Sequence, residues 1–311
     1  MARLCLKRLR AFLSRGLLDG MRLENTNVRR STQTLSYNAN AVILSLVLRL
    51  DILPSPSAEV LLTPYDGNAF PKFARLFETP PPSSALRLLA RSPEEAPANV
   101  VLENRSAKAI TGLRFRWTTT DVSGKSSTRV SSHDSYRLDV FDPVAHPGSR
   151  HLLSPVSGSV AEALVDHVLA GGGCFGAFAG SKPSLSSVAE VALEVDLILF
   201  ADGEIAGPDR DGYARELQCR KRAAEFVARQ VRLAMAEGRD VTPVLKALTE
   251  VPCLGRLGQA QSDPLVHWTR YYAEEYLRSR DRKIGETDWA EATLRHLENR
   301  PDLPRFYRRG G

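Results

Sequence analysis

The chain has 311 residues, of which 43% are hydrophobic and 25% charged, an ordinary globular composition with apolar mass for a sizeable core. At this length about 75% of the unfolded surface can be buried, so a disulfide framework is not required; Cys5, Cys174, Cys219 and Cys253 lie far apart, form no CxxC pair and read as free thiols. The net charge of +6 sits at the ends, with Arg3, Lys7, Arg8, Arg10 and Arg15 against Asp19, and Arg300, Arg305, Arg308 and Arg309 against Asp302, which argues against a folded basic groove for specific nucleic-acid binding.

Residues 1–40 read as a flexible basic and polar N-terminal segment. Within it, Leu6, Leu9, Leu13 and Leu17 share one helical face while Arg8, Arg10 and Arg15 lie elsewhere, a pattern suited to peripheral contact with an anionic membrane or to a leader. The plainer reading is an unstructured stretch with translation starting at Met21. No apolar run reaches the ~18 residues of a transmembrane helix. Residues 41–53 imitate the apolar centre of a secretory signal, but Arg49 and Asp51 interrupt it. Leu46, Leu48, Leu50 and Ile52 alternate with Ser45, Val47, Arg49 and Asp51 as in a half-buried strand. Without a clean signal peptide the expectation leans to the cytoplasm, with location otherwise open.

A β-sandwich domain is expected over 41–206. Glu59 to Thr63 suits a second strand, and Pro80, Pro81, Pro82, Pro93 and Pro97 mark a loop over 78–98, with one helical turn at 86–90. Val100 to Leu102 begins a strand that Asn104-Arg105-Ser106 ends. Leu113, Phe115 and Trp117 then point one way while Arg114, Arg116 and Thr118 point the other. Asp121 to Lys125 forms a turn with Gly124 as its permissive residue. Further strands are expected at Tyr136, Leu138 and Val140 and at 150–153. Residues 160–170 fit a short helix, and 171–180 form a glycine-rich loop. Val191, Leu193, Val195, Leu197 and Leu199 alternate with residues including Glu194 and Asp196, which predicts one buried and one wetter strand face. Asp202-Gly203 suits a hairpin turn, and Gly207-Pro208-Asp209 stops the sheet.

A helical region is expected over 207–311. Tyr213, Leu217, Ala224, Val227, Val231 and Ala234 recur at helical steps and form one apolar stripe, ended by Gly238. Thr242 to Glu250, Pro264 to Arg280 and Asp288 to Glu298 suggest three more helices. The fold class is therefore α+β: an antiparallel immunoglobulin-like β-sandwich followed by a helical C-terminal region.

The strings VVLENRSAKAITGLRFRW (100–117), DVSGK (121–125) and VALEVDLILFADGEIAGPDRDG (191–212) resemble uncharacterised bacterial proteins with an immunoglobulin- or fibronectin-like sandwich. In those, a strand ending in FxDG precedes a GPD turn and a long helix. The resemblance spans roughly 98–235, leaves both ends unmatched, and implies fold elements only. This chain departs from most such proteins in lacking a clean leader peptide.

Candidate chemistry is sparse. The run Gly171 to Gly180 lacks the glycine spacing to Lys182 that a phosphate loop needs, and Pro183 blocks the helix that should follow, so a surface loop is expected. Cys174 within it could act as a nucleophile with His151 or His167 as base, which is the basis of a hydrolase alternative. His133, His146, His151 and His167 form no HxH or HxxxH pair. Asp209-Arg210-Asp211-Gly212 resembles part of a calcium loop, but Gly207 and Gln218 fall where carboxylates belong; both aspartates are expected to cap a helix. Glu194 and Asp196 have the spacing of a glycosidase pair, and a solvated strand face is expected instead. Arg220, Lys221, Arg222, Arg229 and Arg232 with Glu216 and Glu225 read as a solvated helix face. Trp268, Tyr271, Tyr272 and Tyr276 read as aromatics docking a helix.

No catalytic, cofactor-binding or metal residue is assigned. The expectation is a non-catalytic interaction or structural module whose partner is a protein bound through the helical tail or an exposed sheet edge. The alternatives are the hydrolase centred on Cys174 and weak binding of nucleic acid or an anionic membrane through the basic termini.

Overall fold

The computed structural model describes residues 48–79, 93–136, 142–156, 158–172, 185–250, 263–280 and 286–308. In chain order, β1 (Arg49–Ile52) and β2 (Val60–Pro64) lead into α1 (Pro71–Glu78), which begins on the proline that a first helical turn tolerates. Next come β3 (Val100–Asn104), β4 (Ile110–Asp121), β5 (Ser126–Asp134), β6 (Arg150–Ser154), β7 (Gly158–Ala161) and the short α2 (Val165–Leu169). The long β8 (Val188–Phe200) and β9 (Glu204–Ala206) complete the main sheet strands. The helices α3 (Tyr213–Ala236), α4 (Val241–Thr249), α5 (Pro264–Arg280) and α6 (Glu286–Glu298) follow, and β10 (Tyr307–Arg308) is last. The expected helical turn at 86–90, and Leu138 and Val140, lie outside the described residues; Tyr136 itself ends a turn.

Two sheets result, with six α-helices among the described residues. Sheet A runs β10-β9-β8-β4-β5, with β1 also paired to β8; sheet B runs β2-β3-β6-β7. The wholly antiparallel arrangement expected from sequence is corrected at two places, because β1 runs parallel to β8 and β10 parallel to β9. Alternation reveals which face a side chain takes, but it carries no information on strand direction when the connection is long. Hairpin β4–β5 is specified locally. Asp121 Oδ1 accepts from the backbone N–H of Ser123 (2.8 Å) and Lys125 (3.0 Å), and Gly124 takes φ +83°.

The inner faces of the sheets share one apolar core. Val60, Val100, Leu102 and Leu153 of sheet B meet Leu113, Phe115, Trp117, Val191, Leu193 and Val195 of sheet A. The far side of sheet B packs Val101, Leu152 and Val160 against Phe73, Leu76, Val165 and Val168 of α1 and α2. The far side of sheet A carries Leu197 and Leu199 beneath Tyr213, Ala214 and Leu217 of α3. The rest of α3 joins α4, α5 and α6 around Ala224, Val227, Val231, Leu245, Tyr272 and Trp289. All the described strands and helices fall within the compact unit Leu48–Gly311.

One correction concerns β8. Arg114 pairs with Leu197 and Phe115 with Val195, so Asp196 is skipped and the strand bulges there. Val191, Leu193 and Val195 therefore face the inner core, whereas Leu197 and Leu199 face α3. The single stripe read from sequence is two stripes on opposite faces, because an inserted residue breaks the period of two. Gly207, at φ +102°, fits under this bulge; a Cβ there would collide with the Asp196 carbonyl oxygen.

Candidate functional site

The concentration of buried charge lies between the outer face of sheet A and the first turns of α3. Alternation on β4 sends Arg114 and Arg116 to that face, opposite Phe115 and Trp117. The helix start brings Asp211 over both guanidiniums, at 2.9 Å from Arg114 and 2.5 Å from Arg116. Arg114 also reaches Glu216 at 3.7 Å and lies 5.1 Å above the Tyr213 ring. From the end of β5, Asp134 accepts from the Tyr213 hydroxyl at 2.8 Å and from Arg220 at 2.7 Å. Arg220 also bonds Glu216 at 3.3 Å, and its guanidinium stacks 4.3 Å from the Trp268 ring.

The electrostatics follow from this enclosure. Burial alone would lower the Arg220 guanidinium, but Asp134 more than reverses that and leaves its pKa raised. Burial pushes the Tyr213 hydroxyl well above its ordinary value, and Asp134 adds to the effect. Glu216 is raised by burial although Arg220 and Arg114 oppose it. Burial would also raise Asp211, yet bonds from Arg116 and Arg114 hold it below the usual carboxylate range. These groups neutralise one another inside the molecule, so their chemistry is that of a latch between sheet and helix. Beside them, Tyr136, Leu217, Arg220, Tyr272 and Leu303 line a cavity of about 10 Å³, room for about one water.

Several expectations are corrected here. Arg220 is 6% exposed, not part of a solvated face. Only Asp209 caps α3: its carboxylate accepts from the N–H of Tyr213 (2.6 Å) and Ala214 (3.3 Å), while Asp211 serves the arginines instead. Asp209 takes φ +51°, a left-handed conformation that aspartate tolerates better than most residues. Asp196 is fully buried rather than solvated. Its Oδ1 accepts from the Arg210 N–H at 3.3 Å, Arg116 Nε stands 4.0 Å away, and Oδ2 has no hydrogen-bond partner. Glu194 pairs with Arg210 at 2.6 Å, so the two carboxylates of the glycosidase spacing are each engaged by an arginine.

Cys174, the rest of the loop from Gly173 to Gly180, and Lys182 lie outside the described residues, as do Cys5 and Cys253. Cys219 is a buried free thiol on α3. Of the bases proposed for Cys174, His151 is buried in β6, its imidazole pushed down to about 4 by burial and then by His133 and His146. His167 sits on α2. His133 stacks on Phe115 with ring centroids 5.6 Å apart, and His146 faces Asp142 at 3.4 Å. Among the described residues no three or more His, Cys, Asp or Glu side chains gather as a metal-ligand set. Trp268, Tyr272 and Tyr276 are buried against α3 and Tyr271 is partly so, in line with docking aromatics.

Sequence reading missed Arg114, Arg116 and Asp134 as partners of the helix. The available signal was the second apolar pair, Leu197 and Leu199, which requires a cover on the face that also holds the arginines. Compared with protein-family models, curated proteins and solved structures, the chain gives no match. Among the described residues, no helix is long and apolar enough to cross a membrane.

Proposed function

We propose that this protein is a non-catalytic interaction or structural module, built on an immunoglobulin-like sandwich with helices fastened to its outer face. The observation that carries the reading is the fate of the charged groups. Asp134, Asp211 and Glu216 are each held by arginines beneath α3, which suits a fixed scaffold better than a reacting centre. The sandwich assignment is supported by two stacked sheets with a shared core and by the β4–β5 hairpin. Strand β5 forms one edge of sheet A, and its Ser126, Ser127, Thr128 and Val130 are exposed, as a partner strand would require.

The C-terminal cations favour this over nucleic-acid binding. Arg308 donates to the carbonyls of Gly207 and Pro208, and Arg300 lies 4.5 Å from the Tyr272 ring, so both serve internal contacts. The test is a photocrosslinking residue placed at Val130 or at Gln218 of the full chain and irradiated in native extract. Discrete protein adducts at either position are expected. No adduct at either, or turnover of an ester, amide or phosphoester that is lost in Cys174→Ala, overturns the reading.

A further inference from the structure

The outer face of α3 carries a repeat that its packing does not use. Arg215, Arg222 and Arg229 recur every seven residues, and exposed Phe226 and Leu233 follow the last two by four positions, while Cys219, four after Arg215, is buried and takes no part. In heptad terms these are successive d and a positions, the seam along which one helix receives another. The three arginines are exposed, and none makes an ion pair with a described residue. Phe226 is 40% exposed and Leu233 46%, whereas the opposite face of the same helix buries Ala224, Val227, Val231 and Ala234 completely. Glu225 borders the seam but faces Lys221 at 4.0 Å. The helix is rigidly backed by α5 and α6, so the seam is presented as a straight ridge about 21 Å long between Arg215 and Arg229.

We infer that this ridge receives an acidic amphipathic helix of a partner protein, with apolar residues against Phe226 and Leu233 and carboxylates against the three arginines. The inference rests on the interaction-module reading and names its surface and partner chemistry. Charge rules out two other occupants. A second copy would bring its own arginines to the seam, against arginine in a parallel pair and against Phe226 or Leu233 in an antiparallel one, with no free carboxylate on α3 to neutralise them. The chain's segments outside the described residues are each neutral or basic. A phosphate backbone would leave Phe226 and Leu233 uncovered. A lipid surface has no use for a repeat of seven, which keeps register only with another helix.

The experiment titrates the full chain into a labelled three-heptad synthetic helix with leucine at one seam position and glutamate at the other. The same helix with lysine for glutamate, phosphatidylserine-containing vesicles and duplex DNA are titrated alongside. Wild type is expected to bind the glutamate helix and not the lysine helix. Arg222→Glu/Arg229→Glu should weaken that binding by roughly tenfold or more and gain binding to the lysine helix. Its thermal midpoint should match wild type, since both positions are exposed. Phe226→Ala/Leu233→Ala should weaken the glutamate-helix pairing of wild type and, added to the arginine variant, its lysine-helix pairing. Equal binding of the two helices, no effect of the arginine changes, no binding of either helix, or binding of vesicles or DNA in place of the glutamate helix overturns the inference. Adducts at Val130 in the crosslinking experiment would still leave the module reading standing.

Discussion

Strands β4 and β8 have a different interior on each side. Toward sheet B, Leu113, Phe115, Trp117, Val191, Leu193 and Val195 make a dry apolar core. Toward α3, the same two strands offer Arg114, Arg116 and Asp196 beside Leu197 and Leu199, and the helix answers with Asp211, Glu216 and Arg220. The first interface gains its stability from buried apolar area and close packing. The second gains little net energy, since desolvating charges offsets their attraction, but the guanidinium forks fix where the helix must sit. Attachment of the helices is thus specified by geometry, and folding of the sandwich by burial.

The largest expected effect lies in the apolar interior. Phe115 is fully buried and packs edge-on to Trp117 at 6.3 Å, so Phe115→Ala should destabilise by about 3–5 kcal/mol in urea unfolding. A loss under about 1 kcal/mol would mean the inner faces are not tightly packed.

In the ionic interior, Arg220→Met should cost about 3–5 kcal/mol, because Asp134 remains buried without its cation. Adding Asp134→Asn should recover much of that loss. The amide oxygen can still accept from the Tyr136 N–H, the amide NH2 can donate to the Tyr213 hydroxyl oxygen once that rotor turns, and the stranded charge is gone. Additive losses in the double variant would show that the pair is not coupled. The Phe115 site offers no such rescue, which is the sharpest distinction between the two faces.

Sheet B supplies a pH-dependent contrast. His151 stays neutral in the folded protein down to about 4, because burial and then His133 and His146 resist its protonation. The unfolded chain takes up that proton near 6.5. Its contribution is therefore constant above pH ~6.5 and is lost as pH falls toward ~4, by up to about 3 kcal/mol. Urea midpoints should drop over that window, and His151→Gln should flatten the drop. An unchanged slope in the variant would assign it to other groups.

The reach of the sequence can be judged at particular residues. The β3 and β6 strands were legible as short runs bounded by turn residues, and the apolar stripe of α3 by its helical period; the segments of α4 to α6 follow as separate helical stretches. The fate of the polar faces was not. Arg114 and Arg116 look solvated until the helix that covers them is known, and that cover is a long-range contact with no local signature. Asp196 looked like the wet side of a strand because a bulge leaves no mark in composition. Arg220 lies among Lys221 and Arg222, and only its angle on the helix separates a buried cation from exposed ones. Asp209 and Asp211 are two residues apart with the same chemistry, so which one caps depended on the left-handed turn at Asp209.

That turn supports the smallest prediction. Asp209 accepts two N–H groups at the start of α3 and holds a backbone conformation that alanine adopts poorly, so Asp209→Ala should cost about 1–2 kcal/mol. Burial, together with Asp196, pushes its carboxyl above the usual carboxylate range, so part of the capping gain is spent on holding a charge there. Asparagine keeps an acceptor, tolerates the left-handed region and carries no charge beside Asp196. Asp209→Asn should therefore lie within about 0.5 kcal/mol of wild type at neutral pH. Thermal midpoints of the two variants separate the contributions: equal losses would make the negative charge, rather than acceptor and turn, the element that seats the helix on the sheet.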